Sequence, residues 1–318
     1  MSFIRIGVCT LLVWFLCVPS AAMLHAQQQP RKIAFIVGVS QYQKDGLSNL
    51  QYAHKDANDL ATELTKAGFE VTKLIGPKAK HKTIRSGLKQ FVESTGELGK
   101  NDVVLVSLSG HGLQKWTSEA GRKIEVPFYC AYDTLTTKPE TMISLNWILN
   151  ELKENSGSSN NLLIVDACRN NPDKGARTLD GSTVNNLSTK ISMLFSSSAG
   201  QKSYESEKVK QGIFTHVLLK GLRGEAANSR GQVKWASLAT FVLEELPIHT
   251  SELLEDSSIQ QVPNLVGNFV GSAILVLPPK VSLLVAPFGK KEITKAVHAI
   301  EQSKGCLLYT SPSPRDRG

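Results

Sequence analysis

Cysteine is scarce in this sequence, which contains only five cysteines in 318 residues. Three of them lie close to the two ends of the chain, so the central part holds just Cys130 and Cys168. A small disulfide-stapled domain is therefore excluded, and the fold must depend on a hydrophobic core, for which this length is ample. The two central cysteines either form a disulfide or leave at least one thiol free for chemistry.

Long hydrophobic runs are also scarce, and one of them lies at the amino terminus. Arg5 precedes an apolar run over residues 6–18, and small residues follow at 19–22 and at Ala26. This order is typical of a secretory signal peptide. The run is shorter than the ~20 apolar residues that a membrane-spanning helix needs. We therefore expect residues 1–26 to be cleaved, leaving an exported bacterial protein, periplasmic or secreted, without a stable membrane anchor.

The other end of the chain lacks periodicity of any kind. Residues 305–318 resemble a translated adapter sequence, and we expect them to be a non-native tail. Residues 281–304 are then a linker or the start of a further region, and residues 27–280 form the main domain. We expect the native sequence to continue beyond about residue 304 with residues other than this tail.

A concentrated basic surface is missing as well. Lys and Arg exceed Asp and Glu by 36 to 28, but the positive residues are scattered and aromatics make up only 7%. Nucleic-acid binding would favour a basic stripe with interleaved aromatic residues, so we expect no nucleic-acid partner. The phosphate-binding pattern G-x-x-x-x-G-K-[ST] is also absent from the sequence, which excludes that nucleotide site.

Buried strands and amphipathic helices alternate along the rest of the chain. Apolar runs predict strands, and apolar residues at helical spacing predict helices, with a hairpin-like stretch between the third strand and the third helix. Alternation of this kind predicts an α/β fold with a parallel sheet covered on both faces. The predicted strands are 32–39, 69–75, 102–108, 161–165, 191–195 and 273–277, the helices 56–66, 83–98, 145–152, 213–222 and 235–246, and the hairpin 113–132.

Two chemically reactive side chains directly follow two of these strands. Ser109-Gly-His111-Gly112 follows the third strand, and Asp166-Ala-Cys168 follows the fourth. Active sites of open α/β sheets lie at the carboxyl ends of the strands, so the imidazole and the thiol are expected at one edge. A thiol beside an imidazole is a nucleophile beside its base. The polar connection over residues 169–190 is long for a compact domain, and such loops are often functional.

The histidine-glycine and Asp-Ala-Cys motifs resemble those of the caspase-like cysteine peptidases, in which the histidine lies upstream of the cysteine. The resemblance runs from about Arg31 to Leu277 and is specific because several motifs occur in the same order. They are similar to the bacterial metacaspase-like or orthocaspase branch and lie at residues 36–42, 52–57, 195–201 and 212–215. This resemblance implies the caspase-haemoglobinase fold, a three-layer sandwich with helices on both faces of a mostly parallel sheet.

The resemblance also implies a mechanism, namely endopeptidase activity through a Cys–His dyad. Cys168 would be the nucleophile and His111 the general acid and base. The backbone amides of Gly112 and Cys168 would form the oxyanion hole. No third residue that orients the histidine is visible in the sequence.

Substrate preference follows from charge. Animal caspases, which cut after aspartate, carry glutamine two residues before the cysteine, where this chain has Asp166. The resemblance places Asp56 and Ser109 in the same primary specificity pocket (S1). Two carboxylates in one pocket favour a guanidinium or ammonium group. We therefore expect protein or peptide substrates that are cut after Arg or Lys, the P1 residue, by a monomeric enzyme.

Several alternatives remain open from the sequence alone. Asp56 could instead cap the helix that it opens, and Asp166 could be a strand-end carboxylate held by loop amides. Cys130 could be a small core residue or the disulfide partner of Cys168. The whole domain could be a catalytically inactive scaffold or binding module. A zinc hydrolase using His111, Asp166 and Cys168 is a further alternative.

No cofactor is expected from the sequence, although metacaspases often need calcium. Calcium takes six to eight oxygen ligands, and the sequence contains no aspartate cluster that would supply them. Asp133 and Asp173 are the only candidates, and they are isolated from each other in sequence.

Overall fold

A computed structural model describes residues 30–43, 46–119, 122–167, 190–198, 201–267 and 273–278. These residues form thirteen strands and five α-helices in the described part of the chain. The strands are β1 Lys32–Gly38, β2 Glu70–Ile75, β3 Val103–Gly110, β4 Gly112–Glu119, β5 Arg122–Tyr129, β6 Ile143–Ser144, β7 Asn160–Ala167, β8 Ile191–Phe195, β9 Glu205–Ser206, β10 Gln211–Gly212, β11 Val233–Lys234, β12 Asn264–Gly267 and β13 Ile274–Val276. The helices are α1 Ala53–Lys66, α2 His81–Glu93, α3 Leu145–Asn155, α4 Ile213–Lys220 and α5 Trp235–Leu254.

Six strands form the central sheet, in the order β12-β8-β7-β3-β1-β2. The five strands from β8 to β2 are parallel, and β12 pairs antiparallel with β8 at one edge. Every residue of β3 and β7 is buried. Burial on both faces explains the apolar runs Val103–Val106 in β3 and Leu162–Val165 in β7.

Helices cover both faces of this sheet. Side chains of β1, β3 and β7 alternate between two hydrophobic clusters, because successive strand residues point to opposite faces. One cluster contains Ile36 and Ile164 and packs against α1, α4 and α5. The other contains Phe35 and Val165 and packs against α2 and α3. This arrangement confirms the predicted three-layer α/β sandwich.

The predicted hairpin is present as β4 and β5, which pair antiparallel from Gly112↔Tyr129 outward. It forms a separate three-stranded sheet with β6. Because Gly112 begins β4 immediately after His111, the hairpin starts at the carboxyl edge of the central sheet. That edge therefore carries a second structural layer beside the predicted dyad.

Some predicted boundaries were wrong. Helix α1 begins at Ala53 rather than at residue 56, and α5 continues past Pro247 to Leu254. The buried Leu246 and Thr250 keep α5 packed on the domain beyond that proline, although Pro lacks a backbone donor. The predicted last strand, β13, pairs with β11 outside the central sheet. The true edge strand is β12, four residues that are too short and too exposed to show a pattern.

The contacts divide the chain into a unit over 1–277 and a unit over 278–318. Of the second unit the structure describes only Pro278. The predicted signal peptide, linker and tail lie outside the described residues and stay predictions. In the part of the chain that is described, no helix combines the length and apolar character needed to cross a membrane.

Candidate active site

His111 lies at the carboxyl edge of the sheet, directly after β3. Its backbone is held on both sides, because its N–H donates to the Tyr42 hydroxyl (2.7 Å) and its carbonyl accepts from the Cys130 N–H (2.9 Å). Gly110 precedes it at a φ of 154°, and a Cβ there would lie 3.0 Å from the Tyr42 hydroxyl oxygen. Glycine is therefore needed at this position for the chain to turn tightly around Tyr42.

The His111 ring is oriented by a backbone carbonyl. Its Nε2 lies 2.8 Å from the carbonyl oxygen of Ser48, and its ring centroid lies 5.2 Å from that of Tyr42. A carbonyl oxygen can only accept, so this contact assigns the proton to Nε2 and leaves Nδ1 as the basic nitrogen. Sequence analysis missed this third group, since any residue type supplies a carbonyl.

Burial lowers the pKa of His111 from its ordinary value. The neutral imidazole is therefore the main form at neutral pH. A neutral imidazole with an unprotonated Nδ1 can take a proton from a thiol, which is the task predicted for this residue from the sequence. Cys168, the predicted nucleophile, lies outside the described residues.

A pocket of about 310 Å³ opens on the α1 and α4 face at the same edge of the sheet. The three predicted S1 residues, Asp56, Ser109 and Asp166, all line it. Asp166 and Ser109 are opposite each other in the β3–β7 register, and Asp56 reaches them from the first turn of α1. The tertiary structure thus brings together three side chains that are up to 110 residues apart in sequence.

The two aspartates are buried but differ in their hydrogen bonds. Asp166 accepts from the hydroxyls of Ser203 and Thr215, both at 2.8 Å. Asp56 accepts from the backbone N–H of Gly212 at 3.0 Å through Oδ2, whereas its buried Oδ1 has no partner among the described residues. The Asp56 carboxyl therefore keeps an acceptor free for a ligand in the pocket.

Burial, reinforced by the neighbouring Asp166 carboxylate, raises the pKa of Asp56 to about 9. Burial also raises the pKa of Asp166, against the opposing effect of its hydroxyl donors. A carboxyl group with a raised pKa keeps its proton in the empty pocket. It loses that proton when a bound cation stabilises the carboxylate. The pocket is therefore chemically prepared for a positively charged group and not for an anion.

Glu205 is a third carboxylate in this pocket, and sequence analysis missed it. Its carboxylate accepts from the N–H groups of Gln51 (2.9 Å) and Tyr52 (2.7 Å), just before α1 begins. It thus satisfies amides at the start of the helix that carries Asp56 while also lining the pocket. It lies on the two-residue strand β9, a segment too short for any periodic signal.

The structure decides between some of the alternatives left open by the sequence. Asp56 is not the N-cap of α1, because Tyr52 holds that position. Cys130 is a fully buried free cysteine, so the predicted alternative of a disulfide with Cys168 is wrong. Burial raises the pKa of its thiol to about 12, so the thiol stays protonated at neutral pH. Cys130 is therefore a small core residue.

No metal site is apparent in the described ranges. Within them, no group of three or more His, Cys, Asp and Glu side chains is arranged to hold an ion. Asp133, one of the two calcium candidates, accepts from the N–H of His81 (2.7 Å) at the start of α2. The other, Asp173, lies outside the described residues.

Two backbone amides are predicted for the oxyanion hole. Gly112 is buried at the start of β4, and Cys168 lies outside the described residues.

Fold and site together define a class of protein, an α/β sandwich domain with a histidine and an acidic pocket at one edge of its sheet. The sequence matches the caspase domain family over residues 31–271, so the chain belongs to this family of cysteine peptidases. This match confirms the family predicted from the motifs, while the metacaspase-like branch stays a prediction.

Solved structures support the fold. A protein from Geobacter sulfurreducens is similar with a TM-score of 0.55 at 18% identity, over 79% of this chain and 98% of that chain. Caspase-1 from Spodoptera frugiperda is similar with a TM-score of 0.53 at 17% identity, over 79% of this chain and 92% of that chain. No curated protein matches the sequence.

Proposed function

We propose that this protein is a cysteine endopeptidase that cleaves peptide bonds after Arg or Lys through a dyad of Cys168 and His111. The observation that carries the proposal is the pocket beside His111, which is lined by the carboxyl groups of Asp56, Asp166 and Glu205. Three carboxyl groups in one small pocket attract a guanidinium or ammonium group and repel an acidic side chain.

The proposed reaction begins with proton transfer from the Cys168 thiol to Nδ1 of His111. The thiolate attacks the scissile carbonyl carbon, and the oxyanion is held by the amides of Gly112 and Cys168. Collapse of the intermediate breaks the C–N bond, and the imidazolium returns the proton to the leaving amine. Water then hydrolyses the thioester, with the neutral imidazole as base. The Ser48 carbonyl keeps the ring in the tautomer that this sequence of steps needs.

Each predicted pocket residue has a separate task in this proposal. Asp56, with its unpaired Oδ1, forms the direct ion pair with the P1 side chain. Asp166 adds a second negative charge from β7, and the Ser109 hydroxyl donates or accepts at the pocket wall. Glu205 adds the third charge and secures the start of α1.

The setting of the enzyme is also a proposal. The amino-terminal signal pattern supports export from a bacterial cell, to the periplasm or beyond. Its partners are then proteins or peptides with exposed basic residues, and no nucleic acid is involved. The assay below, run with calcium and with a chelator, decides whether the enzyme needs this ion.

The test is cleavage of fluorogenic peptides that differ only at P1, carrying Arg, Lys or Asp. The purified protein, kept reduced, is assayed beside its Cys168→Ala variant, with calcium and with a chelator. We expect the Arg and Lys peptides to be cut, the Asp peptide to be cut at least 100-fold more slowly, and the variant to be inactive. An intact, folded protein that cuts none of them and resists a thiol-reactive peptide probe would instead be an inactive scaffold.

A further inference from the structure

A second pocket, also of about 310 Å³, lies on the opposite face of the sheet at the same edge. Its lining is almost wholly apolar and includes Tyr129, Leu145 and Val165. Val165 and Ala167 point into the α2 and α3 face, whereas Asp166 between them contributes to the acidic pocket. The two pockets therefore flank the tip of β7 from opposite sides, because neighbouring strand residues face opposite ways.

The lining of this second pocket adjoins both members of the proposed dyad in sequence. Gly112 directly follows His111, and Ala167 directly precedes Cys168. A site bordered in this way by both residues lies next to the reacting bond.

One polar group in this apolar pocket lacks a partner. Gln114 on β4 is only 3% exposed and lines the pocket, and its buried Oε1 has no hydrogen-bond partner among the described residues. An unpaired buried acceptor destabilises the empty protein, so a ligand that donates a hydrogen bond to it is favoured in this pocket. A peptide main chain presents N–H donors at regular spacing and meets this need.

The chemistry fixes which part of a substrate reaches this pocket. A basic P1 side chain in the acidic pocket places the scissile bond at the strand tips, and the acyl half stays on Cys168. The leaving amine has to lie within reach of His111, which protonates it. The residue that carries this amine, P1′, therefore begins beside His111 and Gly112, where the apolar pocket opens.

Resting on the function proposed above, we propose that this pocket is the S1′ subsite and binds an apolar P1′ side chain. Gln114 Oε1 accepts a hydrogen bond from the main-chain N–H of the following residue. The enzyme then recognises a two-residue junction, a basic residue followed by an aliphatic one. Specificity is divided between opposite faces of one sheet, with charge selected on one face and apolar volume on the other.

The test uses the full chain and three internally quenched peptides that share Arg at P1 and differ only at P1′, with Leu, Gly or Asp. Filling an apolar pocket with a larger alkyl group is worth about 10-fold or more in kcat/KM. We expect the Leu peptide to exceed the Gly peptide by at least that factor, and the Asp peptide to be the poorest. The variant Leu113→Trp, which narrows the pocket, should abolish the preference for the Leu peptide over the Gly peptide.

Trp116→Ala is the matched control, because Trp116 lies on the same strand but is 57% exposed and does not line the pocket. It should retain the wild-type ranking. Equal rates for the three peptides on wild-type protein, with cleavage after Arg intact, would overturn the S1′ assignment alone. Failure to cut any of them would overturn the peptidase proposal and this one with it. The peptide ranking on wild-type protein decides the matter even if Leu113→Trp does not fold.

Discussion

The two ends of β7 both carry buried polar residues, but their hydrogen bonds are used differently. At the amino end, the Asn161 carboxamide accepts from the Ser156 hydroxyl (2.7 Å) and donates to the Ser158 carbonyl (3.1 Å). Asn160 donates to the carbonyls of Lys100 and Asp102. At the carboxyl end, the buried carboxyl groups of Asp56 and Asp166 both line a pocket, and Asp56 Oδ1 has no partner in the described part of the chain.

This difference separates polar groups that stabilise from polar groups that await a ligand. A saturated network holds its strand in register and gains nothing from a further partner. Two neighbouring carboxyl groups, by contrast, are costly in the empty protein and become favourable only when a cation joins them. Substitutions at the two ends of one strand should therefore affect different measurements.

The largest effect is expected from Asp166→Asn at the carboxyl end. Loss of a buried charge that pairs with a ligand typically costs 2–5 kcal/mol, so kcat/KM for an Arg peptide should fall about 100-fold or more. The melting temperature should change little, because the amide still meets the hydroxyls of Ser203 and Thr215. Asp59→Asn, which removes an equal charge on α1 outside the pocket, is the control. A comparable loss with Asp59→Asn would point to net charge instead of the pocket.

Asn161→Ala at the amino end should reverse this outcome. It removes the three side-chain hydrogen bonds of a fully buried residue, to the Ser156 hydroxyl and to the carbonyls of Ser158 and Lys190, and the Ser156 hydroxyl loses its acceptor. We expect a loss of about 3 kcal/mol in the free energy of unfolding, measured by urea denaturation. The kcat/KM of the folded protein should stay within twofold of wild type. Asn155→Ala, at an exposed asparagine, should leave stability unchanged within error.

A smaller effect is expected from pH. The pKa of Asp56 is raised to about 9, so in the empty pocket this carboxyl is protonated at pH 7 and ionises when a cation binds. Binding of an Arg peptide should release a proton and tighten as pH rises from 6 towards 9. Calorimetry on Cys168→Ala, in two buffers of different ionisation enthalpy, measures the released proton directly.

The raised pKa of Asp56 also makes the stability of the folded protein depend on pH. The unfolded chain loses the Asp56 proton near pH 4, whereas the folded protein keeps it up to about pH 9. The folded state thus binds more protons in this window, so this group makes the protein less stable as pH rises through it. Asp56→Asn should raise the melting temperature more at pH 8 than at pH 5, and it should abolish the proton release. Release that persists in this variant would assign the proton to another group, with Asp166 the first candidate.

Much of this protein could be predicted from local patterns. The strands that became β3, β7 and β8 are short apolar runs, and their burial on both faces follows from that composition alone. A parallel sheet brings the residues at the ends of its strands to one edge, and this rule predicted the site residues His111, Asp166 and Cys168. Their sequence neighbours were sufficient to predict the family.

Other features left no local signal. Glu205 and β12 lie on strands of two and four residues, which are shorter than any hydrophobic period. Tyr42 and Ser48 act through a hydroxyl and a carbonyl that only the folded chain brings to His111. Gly212 belongs to one of the motifs that predicted the family, but the sequence does not show why glycine is needed there. In the folded protein, a Cβ at this position would lie 2.8 Å from Asp56 Oδ2.

The sequence by itself determined the α/β sandwich, the family and the identity of the proposed dyad, because hydrophobic periodicity and strand-end position are properties of neighbouring residues. Tertiary structure alone decided that three carboxyl groups share one pocket, that an apolar pocket lies behind the same strand tips, and which nitrogen of His111 carries the proton. These depend on distances between residues far apart in the chain. Burial then sets the energies of the charges that meet there.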